Sequence, residues 1–176
     1  MNETSVATAP ATRNRGVLAQ RAWDIAAAVA DPEVPVLTID DLGVLRSVRV
    51  GDDDVTVSIT PTYSGCPAME AIRDDVVTAL TEAGFANVVV DITLSPAWTT
   101  DWMSEQGREK LERYGIAAPS GRASASGGPV RMRISVKCPQ CQSLNTRELS
   151  HFGSTSCKAL YQCLDCLEPF DYFKVL

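Results

Sequence analysis

The hydrophobic residues of the chain recur with helical spacing in two segments. The first predicts a helix that begins at Gly16 and ends in the turn 31–35, because each proline there disfavours helical backbone in the residue before it. Its apolar stripe consists of Leu18, Ala22, Ile25 and Val29. The second predicts a helix from Pro67 to Gly84. Its stripe consists of Met69, Ile72, Val76, Leu80 and Ala83. A further helix is expected over residues 100–114.

Alternation of apolar and polar residues predicts three strands, over residues 44–50, 55–60 and 88–94. A hairpin would join the first two through residues 51–54, which read Gly-Asp-Asp-Asp. One polar face on each strand indicates a sheet that is covered on one side only. The order of helices and strands therefore predicts a small α+β lobe with the plan α-β-β-α-β-α.

The lobe is predicted to be one of two folded units. Residues 1–14 are small and polar, which is typical of a disordered tail, and residues 115–129 have the composition of a linker. These segments leave the lobe at 15–114 and a second, β-rich module at 130–176, which opens with an alternating strand at 130–136.

The second module contains two C-x2-C pairs. Each spacing lets a tight turn direct two thiolates at one ion, and two such turns complete a tetrahedron. The four cysteines are Cys138, Cys141, Cys163 and Cys166. A closed four-sulfur site is typical of a structural zinc ribbon, while iron bound as in rubredoxin and a redox dithiol are the alternatives. A module of about 45 residues has too little core to fold unaided, so zinc would supply most of its stability.

Charge and composition exclude several function classes. The net charge is −6 and the Lys and Arg residues are not clustered, so neither nucleic acid nor membrane is an expected partner. No apolar run approaches the ~20 residues of a membrane span, and no secretory signal is recognisable, which favours a cytoplasmic protein. The single histidine, His151, is expected at the surface or in a strand, and no hydrolase or zinc-protease motif is present.

Cys66 is a candidate reactive residue because it lies between a predicted strand and a predicted helix. With Pro67 as the first helical residue, Cys66 would cap the helix, and the helix dipole would lower the pKa of its thiol. The alternative is that cysteine merely replaces a serine cap. Asp31 and Glu33, in the turn 31–35, have the alternative of solvated carboxylates at a helix end. Cys157 is expected to be a small buried hydrophobic residue.

Several of these segments resemble known proteins. The lobe is similar to SufT-type iron–sulfur maturation proteins in Asp31-Pro32-Glu33-Val34-Pro35, Leu42-Gly43-Val44, Thr60-Pro61-Thr62-Tyr63-Ser64-Gly65-Cys66-Pro67 and Pro96-Ala97-Trp98. The tail resembles the PaaD family, also called PaaJ, which comprises accessory subunits of bacterial phenylacetyl-CoA epoxidase. That likeness lies in residues 150–160 and in residues 163–174, which include Glu168-Pro169-Phe170-Asp171-Tyr172-Phe173.

The resemblance implies an accessory protein of phenylacetate degradation, without catalytic activity of its own, that assembles or maintains iron–sulfur or metal centres of the monooxygenase. It assigns cluster or metal transfer to Cys66, Asp31 and Glu33, with a transient iron–sulfur cluster and structural zinc as the groups bound. The epoxidase subunits or their iron–sulfur reductase would be the partners. One cysteine holds a cluster poorly, so a homodimer, a partner's ligands or glutathione would complete it. A scaffold that docks oxygenase subunits through the ribbon and a thiol redox enzyme are the alternative functions.

Overall fold

The computed structural model of the protein describes residues 10–63, 65–119 and 136–175, with side chains from residue 16 onward. The helices in these ranges are α1 (Pro10–Ala27), α2 (Ala68–Glu82) and α3 (Glu105–Tyr114), with a 3-10 turn at Thr100–Trp102. The strands are β1 (Leu45–Val50), β2 (Val55–Ile59), β3 (Val88–Ile92), β4 (Thr146–Ser150), β5 (Lys158–Cys163) and β6 (Pro169–Phe173). No helix in the described ranges combines the length and the apolar character that crossing a membrane requires.

The lobe confirms the predicted α+β class and the predicted order of elements. Its sheet has the order β1-β2-β3, in which the hairpin β1–β2 is antiparallel and β2 pairs with β3 in parallel through the crossover helix α2. The apolar residues of the central strand β2 are buried, while Thr56 and Ser58 on its other face are partly exposed. The stripe of α2 is buried at Met69, Ile72, Val76 and Leu80. One face of the sheet is therefore covered, as the alternation predicts.

Two helix boundaries differ from the prediction. Helix α1 begins at Pro10 rather than Gly16, so it includes the last residues of the predicted tail, of which residues 1–9 lie outside the described part. The helix expected over 100–114 is split, because Ser104 adopts an extended conformation and its hydroxyl accepts a hydrogen bond from the Gly107 amide at 2.9 Å. That side-chain cap starts α3 afresh after the 3-10 turn.

Gly43 shows why the Leu42-Gly43-Val44 segment has its sequence. Its φ is +67°, and a Cβ atom there would lie 2.5 Å from the backbone oxygen of Trp102, so only glycine fits. The neighbouring Leu42 carbonyl accepts a hydrogen bond of 2.9 Å from the indole of the buried Trp98. Two of the segments that resemble the maturation proteins are thus joined to each other and brace the lobe.

The C-terminal module is a three-stranded antiparallel sheet of order β4-β5-β6, and it packs against the lobe. Ala117 lies within the predicted linker 115–129, yet it is buried and forms a bridge with Tyr172 of β6. Phe173 is 1% exposed in the core of the lobe, with its ring centroid 6.3 Å from that of Trp98. Residues 120–129 of the predicted linker lie outside the described part, as does all but Val136 of the predicted strand 130–136.

Candidate functional site

The acidic turn after α1 is held together by its first carboxylate. One oxygen of Asp31 accepts hydrogen bonds of 2.8 Å from the backbone amides of Glu33 and Val34, and its own amide donates to Leu37 at 2.9 Å. Asp31 is 8% exposed, so it is not a solvated carboxylate. Burial raises the pKa of its carboxyl, against the opposing effect of the two backbone hydrogen bonds. The turn directs the following residue, Glu33, toward the C-terminal module.

Cys66 lies in the turn between β2 and α2, but it does not cap the helix. Helix α2 begins at Ala68, and Pro67 occupies the cap position with φ −70° and ψ −20°, without a side-chain cap hydrogen bond. Burial, followed by the negative charges of Glu33 and Asp31, raises the pKa of the Cys66 thiol. A hydrogen bond with the Ala68 amide acts in the opposite direction but is outweighed. The predicted lowering of this pKa is therefore wrong, because desolvation and two carboxylates prevail over the helix terminus.

The C-terminal module contributes a second thiol to the same region. Cys157 is 4% exposed, and its Sγ lies 3.8 Å from a carboxylate oxygen of Glu33 and 3.0 Å from the hydroxyl of Thr155. Its carbonyl accepts a hydrogen bond of 3.0 Å from the Lys174 amide, which fixes the loop to the end of β6. Cys157 is buried as expected, but its contact with Glu33 is not that of a hydrophobic residue. Burial and the charges of Glu33 and Asp31 raise the pKa of its thiol.

The loops that carry the two thiols also touch through Tyr63 and Ser156, whose side chains are hydrogen-bonded. Beside them, the ammonium of Lys158 is 3.4 Å from Asp171, and its positive charge also acts on Asp31 and Glu33. The structure therefore brings Asp31, Glu33 and Cys66 into one electrostatically coupled group, as the resemblance implies. We refer to Asp31, Glu33, Cys66 and Cys157 together as the thiol–carboxylate site.

The C-x2-C pairs form a second, separate cluster. The four Sγ atoms all lie within 4.8 Å of one another, with Cys138 and Cys166 3.8 Å apart and Cys141 and Cys163 3.5 Å apart. Four sulfurs at ~2.3 Å from a tetrahedral zinc would be about 3.8 Å apart, so the spacing fits this ion. The leftover His151 is exposed and 3.3 Å from a Glu148 oxygen, outside both sites.

The two turns of this cluster are alike in backbone conformation. The residue after each second cysteine, Gln142 or Leu167, has a positive φ of 65° or 66°. Asp165, inside the second turn, accepts hydrogen bonds from the side chains of Ser143 and Asn145, which follow the first turn. These bonds tie the turns to each other, so the thiols are held close by more than the metal alone.

The raised pKa of Cys66 predicts slow alkylation at neutral pH. We expect its reaction with iodoacetamide to accelerate about tenfold per pH unit up to a midpoint above the ~8.5 of a free cysteine, since only the thiolate reacts. Replacing Glu33 by Gln removes a negative charge that raises this pKa, so the Glu33→Gln protein should react faster at every pH below the midpoint. Peptide mass spectrometry of zinc-loaded protein measures the rate at this one thiol.

The matched control is Glu82→Gln, which removes a charge at the other end of α2 and should leave the profile unchanged. A midpoint below that of a free cysteine would show that the helix terminus controls Cys66 after all. An unchanged profile in Glu33→Gln would contradict the coupling between the carboxylate and the thiol.

Comparison with known proteins gives two family matches along the chain. Residues 23–94 match the iron–sulfur cluster assembly protein family, and residues 123–174 match the PaaD zinc beta ribbon domain. The first range contains Asp31, Glu33 and Cys66, and the second contains Cys157 and the four clustered cysteines.

Individual relatives agree with this division. The "Putative 1,2-phenylacetyl-CoA epoxidase" subunit of Escherichia coli (strain K12) is 47% identical over 154 residues, which cover 88% of this chain and 91% of that protein. The Fe-S protein maturation auxiliary factor SufT of Staphylococcus aureus (strain USA300) is 40% identical over 85 residues, or 47% of this chain and 96% of that protein. A crystal structure from Bacillus anthracis, of a domain of unknown function called DUF59, has the fold of the lobe, with a TM-score of 0.54, 23% identity and coverage of 57% and 96%.

Proposed function

The chain belongs to the PaaD family of phenylacetyl-CoA epoxidase subunits, and from this membership we propose that it assembles or maintains iron–sulfur or metal centres of that enzyme. The observation that carries the proposal is the convergence of Cys66 with Glu33 and Asp31 inside the range that matches iron–sulfur cluster assembly proteins. The protein is an accessory factor of phenylacetate degradation. Its partners are the epoxidase subunits or their iron–sulfur reductase, it acts in the cytoplasm, and it has no catalytic activity of its own.

The electrostatics of the site suit a cargo that is bound briefly. Two carboxylates attract a cation to Cys66, while the raised pKa of the thiol keeps it protonated when no cargo is present. A metal ion must displace that proton, so protons compete with the metal and weaken its binding near neutral pH. The positive charge of a bound metal in turn stabilises the thiolate. Such a site accepts cargo and also releases it to an apoprotein with stronger ligands.

The ribbon has a structural role in this proposal. Cys138, Cys141, Cys163 and Cys166 hold one zinc ion in a closed site, without an open position for chemistry. The zinc-stabilised module spans 130–176 and the maturation domain spans 15–114. Because Phe173 and Cys157 of the ribbon lie in the core of the lobe, the ribbon also supports the site of the lobe directly.

A scaffold function is the second candidate, and exposed apolar side chains on the ribbon favour it. Phe152 is 64% exposed and Leu167 is 66% exposed, and both lie away from the thiol–carboxylate site. Side chains of this kind are suited to docking an oxygenase subunit. In that case Cys66 would be inert, and only damage to the ribbon would remove the function. A thiol redox role of the C-x2-C pairs finds less support, since all four thiols converge on one point.

Growth on phenylacetate distinguishes the two functions. We expect a deletion strain that carries Cys66→Ser to fail to grow on phenylacetate, because the hydroxyl is a poor ligand for iron or zinc while the half-buried position tolerates its size. The purified variant should keep its zinc and its fold. Glu33→Gln should also impair growth, whereas the matched change Glu70→Gln at the exposed start of α2 should not.

Protein levels must be equal in all strains, and growth on another carbon source controls for general defects. Normal growth of the Cys66→Ser strain on phenylacetate would overturn the maturation function and leave the scaffold in its place. Normal growth with Glu33→Gln alone would remove the acidic turn from the mechanism.

A further inference from the structure

The ribbon places a thiol against the acidic turn of the lobe, and we propose that Cys157 is the second protein thiolate for the iron carried at Cys66. The site is thus composite: Cys66, Glu33 and Asp31 belong to the lobe, and Cys157 belongs to the ribbon. The inference rests on the proposed function, in which the lobe carries iron or an iron–sulfur cluster as cargo. It adds a ligand that neither the family matches nor the sequence identifies.

The contact of Cys157 with Glu33 is the first observation. Its Sγ is 3.8 Å from a Glu33 carboxylate oxygen, across 124 positions of sequence. A buried cysteine with a purely structural role would pack against apolar groups, whereas this thiol faces a carboxylate whose charge also acts on Cys66. Glu33 therefore links the two thiols and supplies an oxygen ligand of its own.

The charge of the site is the second observation. Asp31 and Glu33 are partly opposed by Lys158, which also pairs with Asp171, and the hydroxyl of Tyr63 is hydrogen-bonded to Ser156. No other charged group is assigned to the surroundings of either thiol among the described residues. A second thiol inside this acidic environment has no use as a salt-bridge partner. It does suit a cation that binds sulfur.

Loading the site balances in protons and charge. Fe²⁺ binds to Cys66 and Cys157 with formation of two Fe–S bonds, loss of two S–H bonds and release of two protons to solvent. Exchange of two protons for one divalent cation leaves the net charge of the partly buried site unchanged, so it adds no uncompensated charge to the interior. Both thiols have raised pKa values, from burial and the nearby carboxylates, so they enter the reaction protonated.

The ligands are not yet gathered around one point. Within the described ranges, only the four ribbon cysteines form a group whose ligand atoms all lie within 4.8 Å of one another. Side-chain rotation of Cys66 and Glu33, both of which are partly exposed, must therefore accompany loading. A site that closes only on its cargo, and is held in place by docking of the ribbon, is consistent with delivery rather than storage.

The test is anaerobic titration of the full-length, zinc-loaded protein with Fe²⁺ alone. Fe²⁺ ranks below Zn²⁺ in affinity for such ligands, so it leaves the ribbon zinc in place, and zinc analysis before and after verifies this. Two thiolate ligands predict an apparent Kd that falls about 100-fold for each rise of one pH unit below the thiol pKa values, because two protons are released. In Cys157→Ser and in Cys66→Ser the dependence should drop to about tenfold per pH unit.

The proton count separates a ligand from a structural residue. Loss of folding would change the affinity but would not convert a release of two protons into a release of one. Cys157→Ala provides a second variant in case serine disturbs the buried position, and Cys66→Ser/Cys157→Ser should bind no iron. Release of two protons by Cys157→Ser would overturn the inference, as would failure of the wild-type protein to bind Fe²⁺.

The two proposals can fail separately. Failure of Cys66→Ser to support growth, together with unchanged iron binding by Cys157→Ser, would leave the maturation function intact and remove only Cys157 from the site. Normal growth of Cys66→Ser would reject the maturation function whatever the titration gives.

Discussion

Replacing Cys163 by serine should remove the zinc from the protein and unfold the ribbon. Cys163 is fully buried, and its Sγ lies 3.5 Å from that of Cys141 within the four-thiol cluster. Structural zinc in small modules contributes about 10–16 kcal/mol of apparent binding free energy, which far exceeds what a three-stranded sheet can supply alone. We expect zinc content to fall from about one per chain to none, with the same result for Cys138→Ser.

Loss of the ribbon should also reach the lobe. Phe173 and Cys157 would leave its core, so Trp98 would become exposed to solvent and its fluorescence should change. Limited proteolysis should cut the tail first and leave a fragment that ends near residue 119. Metal analysis, proteolysis and fluorescence on the same preparations measure these effects.

Cys157→Ala is the matched control for this experiment. It removes a buried thiol of the ribbon that is not part of the four-cysteine cluster, so zinc content should stay at about one per chain. A protease-resistant tail in metal-free protein would contradict the structural role of zinc. A halved zinc content in Cys157→Ala would mean that this residue replaces one of the four ligands.

Local sequence predicts the elements of the lobe well because their patterns are local. The alternation along β2 and the stripe of α2 each specify which side chains turn inward, and both are buried as expected. The early start of α1 had a signal that the helical spacing from Gly16 overlooked: proline is favoured at the first position of a helix, and Pro10 occupies it. The four-cysteine cluster was predictable for the same reason, since spacing alone brings each pair together.

The thiol–carboxylate site shows where local reasoning fails. Cys66 precedes a helix, which predicts a lowered pKa, but its burial and its carboxylate neighbours depend on residues far along the chain. Cys157 and Glu33 lie 124 positions apart, and the linker-like composition of 115–129 predicts separate units rather than a shared core. Docking of the ribbon is a long-range event that no periodicity records. The one available signal was a second cysteine left over once the four metal ligands are assigned.

The docking itself can be tested by replacing Phe173 with alanine. Phe173 is 1% exposed, ends β6, and contacts Trp98 in an edge-to-face arrangement inside the lobe. Truncation of a buried phenylalanine typically costs about 3–5 kcal/mol through lost burial and the cavity left behind. The zinc site lies at the other end of β5 and should be unaffected. We therefore expect a protein with its full zinc content that unfolds at lower denaturant concentration and whose ribbon separates from the lobe.

Phe152→Ala is the control, because that phenylalanine belongs to the same module but is 64% exposed, and surface changes usually stay within about 0.5 kcal/mol. Urea denaturation gives the free energy of unfolding, and hydrogen exchange at the Glu33 and Val34 amides reports on the acidic turn. These amides bond to the buried Asp31, so they should exchange faster when the ribbon no longer covers the turn. If Phe173→Ala matches Phe152→Ala in stability and in exchange, the ribbon does not depend on this side chain for docking. If Phe173→Ala is destabilised but still releases two protons on binding Fe²⁺, docking survives by other contacts, and the thiol of Cys157 reaches the iron without this anchor.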